Sequence, residues 1–349
     1  SGTVMKKRSR RRMRKGISRS GAVLLAGCIF MSGSLLTGCG GNRTENSADD
    51  GRISVVTTIF PQYDFVRQIA GDYVDLTMLL KPGEETHSYE PTPQDIIAIQ
   101  NSDVFIYVGG ENDAWVEEIL ESMPDEDMIT LKLLDCVDTV EEEQVEGMQE
   151  ETGHSHGEED EHVHENEEDA HSVHEIDEHV WTDPENASAI TGEIRDILME
   201  KDPSNRDIYE ENTRSYQEKL SELDREFHEV VDSAERNLVI FGDRFPFRYF
   251  ADAYGLDYYA AFPGCASDTE PSAATMAFLI NKVKEEKVPA VLKMELSSDN
   301  IANAIAEATG TEVRTFYSCH NLSADDFENG ETYLSMMQKN VETLKEVLN

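Results

Sequence analysis

The chain is short of basic residues. Its 349 residues include 30 Lys and Arg against 71 Asp and Glu, which gives a formal net charge of −41. Nine of the basic residues precede Cys39, in a segment that contains no acidic residue. Without that segment, 21 basic residues face 71 acidic ones and the net charge is −50. A protein of this charge repels nucleic acid and anionic membrane surfaces, and it concentrates cations.

The chain also has little that could span a membrane. The apolar run at 21–36, GAVLLAGCIFMSGSLL, is too short and too rich in Gly and Ser for a comfortable span. Because it follows a basic stretch, residues 1–38 are predicted to be a cleaved export signal. The residues LTGC, which end at Cys39, look like a bacterial lipobox, and 39–52 would be a flexible tether. We expect a lipid on Cys39 to hold the protein at the outer face of the cell membrane; an ordinary signal or an uncleaved anchor is the alternative.

Cysteine is scarce. Of five cysteines, Cys28 belongs to the predicted signal and Cys39 to the predicted lipid site, so three remain for an oxidising compartment. We expect a disulfide between Cys265 and Cys319, both in loops of the second half, and a buried free thiol at Cys136. In the loop-entropy model such a crosslink stabilises by roughly 4 kcal/mol. A metal-ligand role for Cys319 is the alternative.

Lys and Arg are absent from Glu141 to Glu178, where the chain instead carries 17 acidic residues. Imidazole binds borderline divalent metals such as Zn²⁺, and nearby carboxylates raise the local cation concentration. No apolar periodicity supports a core, so 141–178 is predicted to be a disordered insertion that collects metal at weak sites. A solvated acidic linker is the alternative. Six of the chain's ten histidines form this His-rich tract: His154, His156, His162, His164, His171 and His174.

Strand-like and helix-like segments alternate in the rest of the chain. The alternation runs from ISVVTTIF (53–60) to MITLKLL (128–134), restarts at LVIFGD (238–243), and ends in a helix at 331–348. Between these halves the spacing predicts two helices, of which the second, at 205–235, would be roughly 45 Å long. Alternating strands and helices indicate parallel sheets.

The predicted fold class is therefore α/β, with two parallel-sheet lobes joined by one long rigid helix. The first lobe is expected over 53–186, including the insertion. The linking helices follow over 187–236, and the second lobe over 237–349. In such lobes ligands bind beyond the carboxyl ends of the strands.

Five side chains that can bind a metal lie at or after predicted strand ends, or before a predicted helix. The alternatives are ordinary polar surface for His87, a disulfide-loop histidine for His320, a surface carboxylate for Glu295 and a helix cap for Asp243. The five side chains are His87 in ETHSYEP, His179 in DEHVWTDPENA, Asp243 at the end of LVIFGD, Glu295 at the end of PAVLKMEL, and His320 after EVRTFYSC.

Several longer stretches carry a more specific signal: VVTTIFPQYDFVRQIAGD, PGEETHSYEPTPQDI, the His-rich tract before DEHVWTDPENA, YFADAYGL, Glu270-Pro271-Ser272, and YLSMMQKNVETLKEVL. With these stretches the chain resembles the substrate-binding lipoproteins of bacterial ABC-type zinc and manganese importers, over essentially the whole mature chain. The resemblance implies two lobes bridged by a rigid helix, one metal in the cleft with two ligands from each lobe, and a partner permease and ATPase. By motif, His87 and His179 take the two first-lobe histidine positions.

The second lobe departs from that family pattern. Arg244, which cannot bind a metal, stands where the family usually has a His or Glu. An Asp that usually follows the last strand is replaced by Cys319-His320. We therefore expect His320 to be a ligand, with Asp243 as the next candidate and Glu295 in reserve.

Three histidines and one carboxylate favour zinc over manganese, whose sites are richer in carboxylate oxygen. The sequence thus predicts a monomeric, non-enzymatic receptor that captures Zn(II) in an interlobe cleft for an ABC-type importer. The alternatives are a manganese receptor of the same family and a surface adhesin or zinc reservoir without a transporter. A zinc hydrolase is disfavoured because the sequence has no HExxH or comparable pair.

Overall fold

The structure, a computed structural model, describes residues 51–85, 89–123, 127–149, 175–266 and 270–349. The predicted signal and lipid site, His87 and the six histidines of the His-rich tract lie outside the described residues. Among the residues described, no helix is both long enough and apolar enough to cross a membrane.

The described strands form two four-stranded sheets in which every pairing is parallel. The first sheet contains β1 (Ile53–Thr57), β2 (Val74–Met78), β3 (Val104–Tyr107) and β4 (Ile129–Lys132). The second contains β5 (Leu238–Phe245), β6 (Asp257–Pro263), β7 (Ala290–Lys293) and β8 (Glu312–Thr315). The strand orders, β2-β1-β3-β4 and β6-β5-β7-β8, are the same, so the prediction of two similar α/β lobes is confirmed.

The helices of the described residues follow the predicted alternation to within a few residues at each end. One five-residue helix, α9, was not predicted, because so short a segment has too little periodicity to recognise. The helices are α1 (Phe60–Ala70), α2 (Pro93–Gln100), α3 (Ala114–Ser122), α4 (Pro184–Lys201), α5 (Arg206–Asp232), α6 (Arg248–Tyr254), α7 (Ala273–Glu286), α8 (Asn300–Thr309), α9 (Ala324–Glu328) and α10 (Tyr333–Leu348).

Helix α5 fits the long helix that the sequence predicts between the two halves. Its 27 residues span roughly 40 Å at 1.5 Å per residue. It packs against α1 and α4 on one side and against α6 and α10 of the second lobe. Its apolar stripe, from Tyr209 through Tyr216 to Phe227, is buried. The helix therefore shares a core with both lobes.

Buried hydrogen bonds join α1 of the first lobe to α10 of the second. Asp64, which has no exposed surface, accepts a bond of 2.7 Å from the backbone N–H of Tyr333. The other oxygen of Asp64 is paired with Arg67 at 2.6 Å, so the buried charge is neutralised within its own helix. The Tyr333 hydroxyl donates to the carbonyl oxygen of Trp181 at 2.6 Å.

The prediction of disorder over 141–178 is wrong for 141–149 and 175–178, because both ends of the predicted insertion are part of the folded structure. Glu141 and Ile176 form an antiparallel bridge. Beside it, the N–H of Glu142 donates to the Glu175 carbonyl at 2.8 Å. We call residues 140–149 and 175–177 the stem.

The stem is bound to the second lobe. The side chain of Glu142 accepts a bond of 2.8 Å from the N–H of Cys265, and Gln149 accepts one of 2.8 Å from the N–H of Ser272. Arg248 pairs with Glu143 at 2.6 Å. The two ends of the insertion thus make specific contacts with the second lobe, which the acidic composition of the insertion did not predict.

The predicted disulfide between Cys265 and Cys319 is not formed. Cys136, Cys265 and Cys319 are all free thiols. The two loops present their thiols to different surroundings: Glu142, Glu178 and Asp177 are the charged groups near Cys265, whereas Glu295 and Asp64 are those near the fully buried Cys319. The presence of both cysteines in loops of the second half was therefore not enough to bring the two sulfur atoms together.

We predict that deletion of 150–174 leaves the unfolding temperature unchanged, whereas deletion of 141–176 lowers it. The longer deletion removes all of the stem except residues 140 and 177, and each lost hydrogen bond contributes about 1 kcal/mol to stability. Thermal unfolding followed by circular dichroism checks this. Equal unfolding temperatures for the two deletions would show that the stem does not stabilise the fold.

Candidate metal centre

A small cavity lies where strands from both lobes end. Its volume is about 30 Å³, enough for a water molecule or an ion. The lining residues lie at or after the carboxyl ends of β2, β5, β6, β7 and β8, which is where parallel sheets present ligand-binding groups. They are Glu84, Glu85, Arg244, Pro246, Gly264, Met294, Glu295, Leu296, Ser318, His320 and Asn321.

His179 lies at the entrance to a short 3₁₀ turn, Val180–Thr182, and only 1% of its surface is exposed. Its Nδ1 is 3.0 Å from Oδ1 of Asp177, and the same oxygen accepts a bond of 2.8 Å from the His179 backbone N–H. A carboxylate at Nδ1 fixes the ring and assigns metal binding to Nε2. The buried ring of Trp181 lies 5.6 Å from it, centroid to centroid.

The charge around His179 favours its protonated form. Burial lowers the pKa of the imidazole, but the Asp177 carboxylate and its hydrogen bond act in the opposite direction. Glu178 and Glu142 add to the effect of Asp177, so the pKa of His179 is raised above its usual value. The same negative groups would favour a metal cation at Nε2.

His320 faces His179 from the second lobe. Its ring centroid is 5.2 Å from that of His179 and 5.0 Å from that of Trp181, and the two imidazoles are perpendicular. With Zn–N bonds of about 2.0–2.1 Å, a single ion can bridge two rings at this separation. The structure therefore brings together two of the predicted ligands, one from each lobe.

Glu295 lines the cavity and belongs to the loop after β7. Its two oxygens accept bonds of 2.7 and 2.8 Å from the N–H and hydroxyl of Ser318, which ties it to the His320 loop. Burial raises the pKa of Glu295 to about 7, against the opposing effect of the Ser318 bonds. A nearby cation would relieve this cost of burial, because it stabilises the charged carboxylate.

Asp243 has a different environment. It is 7% exposed and is not among the residues that line the cavity. Its oxygens accept bonds from the backbone N–H groups of Arg244 and Met294, at 2.8 and 2.9 Å. Asp243 therefore joins the ends of β5 and β7, and the geometry favours Glu295 over Asp243 as the second-lobe carboxylate.

Arg244, a residue of β5 in the second lobe, lines the cavity and contacts the first lobe. Its guanidinium is 3.2 Å from the carboxylate of Glu85 and donates to the carbonyl of Ala266 at 3.4 Å. The sequence showed that Arg244 cannot bind a metal, but it gave no sign of this contact between the lobes. The sequence analysis also did not single out three residues whose hydrogen bonds hold the loops of the site: Trp181, Ser318 and Asn321.

His87, the other predicted first-lobe ligand, lies outside the described residues. Within the parts of the chain that are described, no group of three His, Cys, Asp or Glu side chains is close enough to hold a metal ion. The described part of the site is thus the pair His179 and His320, with Glu295 hydrogen-bonded to Ser318 of the His320 loop.

Two parallel α/β lobes with an ion-sized cavity between them have the architecture of a solute-binding protein. The chain belongs to the family described as ZnuA, zinc-uptake complex component A, periplasmic, whose family model matches residues 55–347.

Two relatives illustrate the match. The zinc-binding lipoprotein AdcA of Streptococcus pneumoniae is 33% identical over 297 residues, which is 85% of this chain. The match spans 56% of AdcA, so this chain corresponds to about half of that protein. The high-affinity zinc uptake system protein ZnuA of Bacillus subtilis is 31% identical over 331 residues, or 94% of this chain and 97% of that one.

Solved structures show the same fold. The Zn(II)-bound ZnuA-like domain of S. pneumoniae AdcA aligns with a TM-score of 0.67 and 28% identity, over 85% of this chain and 99% of the domain. The metal-dependent lipoprotein YcdH of B. subtilis aligns with a TM-score of 0.69 and 28% identity, over 85% of this chain and 100% of that one.

We predict that Asp177→Asn lowers the pKa of His179. The substitution keeps an oxygen acceptor near Nδ1 but removes the charge, so burial is opposed by less negative charge. NMR titration of the imidazole resonances measures the change. Glu142→Gln, which removes a weaker contribution, should lower the pKa less; an unchanged pKa in the Asp177→Asn variant would contradict the electrostatic explanation.

Proposed function

We propose that this protein is the extracytoplasmic receptor of an ABC-type importer, and that it captures Zn(II) between its lobes and delivers it to a permease and ATPase. The observation that carries the proposal is the separation of 5.2 Å between the rings of His179 and His320, which come from different lobes. Membership of the zinc-uptake family and the zinc-binding relatives support it.

The ligands proposed for the ion are Nε2 of His179, an imidazole nitrogen of His320, a carboxylate oxygen of Glu295, and His87. In the structure the three described side chains are not close enough to hold an ion together, so binding would require Glu295 to move toward the two histidines. This set matches the nitrogen-rich, four-coordinate sites that Zn²⁺ prefers, and it is poor in the oxygen ligands that Mn²⁺ prefers. Asp177 would orient His179 without touching the metal. Asp243 would support the site through the backbone.

The cargo must be released as well as bound. Because the proposed ligands are divided between two lobes, a small displacement of one lobe would break bonds to the ion without unfolding either lobe. The contacts that fix the lobes relative to each other then determine how tightly the ion is held.

Location at the membrane follows from the N-terminal residues. We propose that Cys39 carries lipid and that the mature, monomeric protein is held at the outer face of the cell membrane; two of the relatives are named lipoproteins. The His-rich tract would collect zinc beside the cleft, through sites weaker than the cleft because each must order its own chain.

We predict that the variant lacking 150–174 binds one Zn²⁺ tightly and that His179→Ala or His320→Ala weakens this site by more than about 100-fold. Loss of groups that only support a metal ligand typically costs about 10–100-fold, and loss of a ligand should cost more. Competition titration with a chromophoric chelator measures the affinity. His228 is an exposed histidine of α5, so His228→Ala is the matched control and should bind zinc as tightly as the protein without this substitution. A tight site that survives both cleft substitutions would contradict the proposal.

The identity of the carboxylate ligand can be tested by counting protons. With a pKa of about 7, Glu295 is largely protonated at about pH 6.5, so zinc must displace its proton. Calorimetric titrations in buffers of different ionisation enthalpy should therefore show more proton release from the wild type than from Glu295→Gln, and the wild-type affinity should fall as the pH is lowered below about 7. Asp243→Asn should release as many protons as the wild type. Loss of proton release in Asp243→Asn alone would make Asp243 the ligand.

A further inference from the structure

One buried amide connects the loops that flank the proposed site. Asn321, which directly follows His320, is 3% exposed. Its Nδ2 donates to the carbonyl oxygens of Lys81 and Glu84, each at 2.9 Å. These two acceptors belong to the first-lobe loop after β2, so a single side chain of the second lobe holds both ends of that turn.

Both the nitrogen and the oxygen of the Asn321 amide make hydrogen bonds. While both Nδ2 protons go to the first lobe, Oδ1 accepts a bond of 2.9 Å from the backbone N–H of Leu322 in its own loop. This bond fixes the orientation of the amide, because an inverted amide would place its NH₂ group against that N–H. Asn321 is thus a rigid connection between two backbones.

Two further contacts join the 81–85 loop to the second lobe, one to the His320 loop and one to β5. The N–H of Gly83 donates to the Leu322 carbonyl at 2.8 Å, and Arg244 pairs with Glu85 at 3.2 Å. The side chain of Glu85 is 48% exposed, and ion pairs with so exposed a partner contribute little to stability. The buried hydrogen bonds of Asn321 should therefore dominate the connection.

We propose that Asn321 is a positioning residue for metal binding, which sets the spacing between the 81–85 loop of the first lobe and the His320 loop before the ion arrives. Glu84 and Glu85 of the first of these loops line the cavity, as does His320, which precedes Asn321 by one position. A site whose halves are already held in place binds more tightly, because less chain must be ordered when the ion binds. This inference rests on the proposed function.

The test is Asn321→Asp, which keeps the size of the side chain but replaces two donors with a carboxylate that faces two carbonyl oxygens. Zinc chloride is the probe. The dissociation rate is measured by stopped-flow mixing with excess chelator, and the unfolding temperature is measured with and without zinc.

We expect the Asn321→Asp variant to release zinc about 10–100-fold faster, the range found for groups that support metal ligands. The rise in unfolding temperature caused by zinc should shrink, because that rise depends on affinity. Asn212→Asp is the control: the Nδ2 of Asn212 donates to the Ile69 carbonyl at 2.9 Å, between helices α5 and α1. This control substitution should lower the unfolding temperature but leave the dissociation rate and the zinc-induced rise unchanged.

Two results would overturn the inference in different ways. If Asn321→Asp lowers the unfolding temperature but keeps the wild-type dissociation rate and zinc-induced rise, Asn321 is only structural, and the proposed function stands. If the tight site of the wild type also survives His179→Ala and His320→Ala, the proposed function fails together with the positioning role. Should the Asn321→Asp variant not fold, Asn321→Ala removes the same donors without adding a charge and gives the same comparison.

Discussion

A chain of buried hydrogen bonds through Trp181 holds the two lobes in one arrangement. The indole N–H of Trp181 donates to the Ser318 carbonyl at 2.8 Å, and the Trp181 carbonyl accepts from the hydroxyl of Tyr333. His179 lies two residues before Trp181, and His320 lies two residues after Ser318. The contact that joins the lobes thus also sets the distance between the two imidazoles. Because the indole is completely buried, leaving its N–H or the Ser318 carbonyl without a hydrogen bond would cost about 1–3 kcal/mol.

The electrostatics of the cleft suit a cation better than an empty site. Burial raises the pKa of Glu295 to about 7, which means that the folded protein resists the charged form of this carboxyl. A divalent ion in the cavity that Glu295 lines would reverse that preference by adding positive charge beside it. The excess of acidic residues in the composition thus includes a carboxyl in the cavity, and a bound metal would lower the free-energy cost of ionising that carboxyl there.

Much of the fold could be predicted from the sequence because it depends on local patterns. The alternation of strand and helix, the proline at the start of α4 and the apolar stripe of α5 each follow from a few neighbouring residues, and the α/β fold class is confirmed. The list of candidate ligands was shortened in the same way, since each candidate lies at or after a predicted strand end or, like His179, before a predicted helix.

The sequence could not predict whether a side chain at a strand end or in a loop points into the cavity or toward the backbone. Asp243 and Glu295 both lie at predicted strand ends, yet a register shift in the pairing of β5 with β6 lies between Phe241 and Arg244, and the Asp243 carboxylate is bonded to backbone. The absence of the Cys265–Cys319 disulfide has a related cause, because the positions of two loops do not determine where their side chains point. Contacts distant in sequence, such as that of Asn321 with the 81–85 loop, leave no periodic signal.

The most direct test of a single interlobe zinc site is a crystal of the variant lacking 150–174, grown with one equivalent of zinc and measured on both sides of the zinc absorption edge. We expect one dominant anomalous peak between the lobes, about 2.0–2.1 Å from nitrogens of His179 and His320. A peak on one lobe alone, away from both histidines, would contradict a site shared between the lobes.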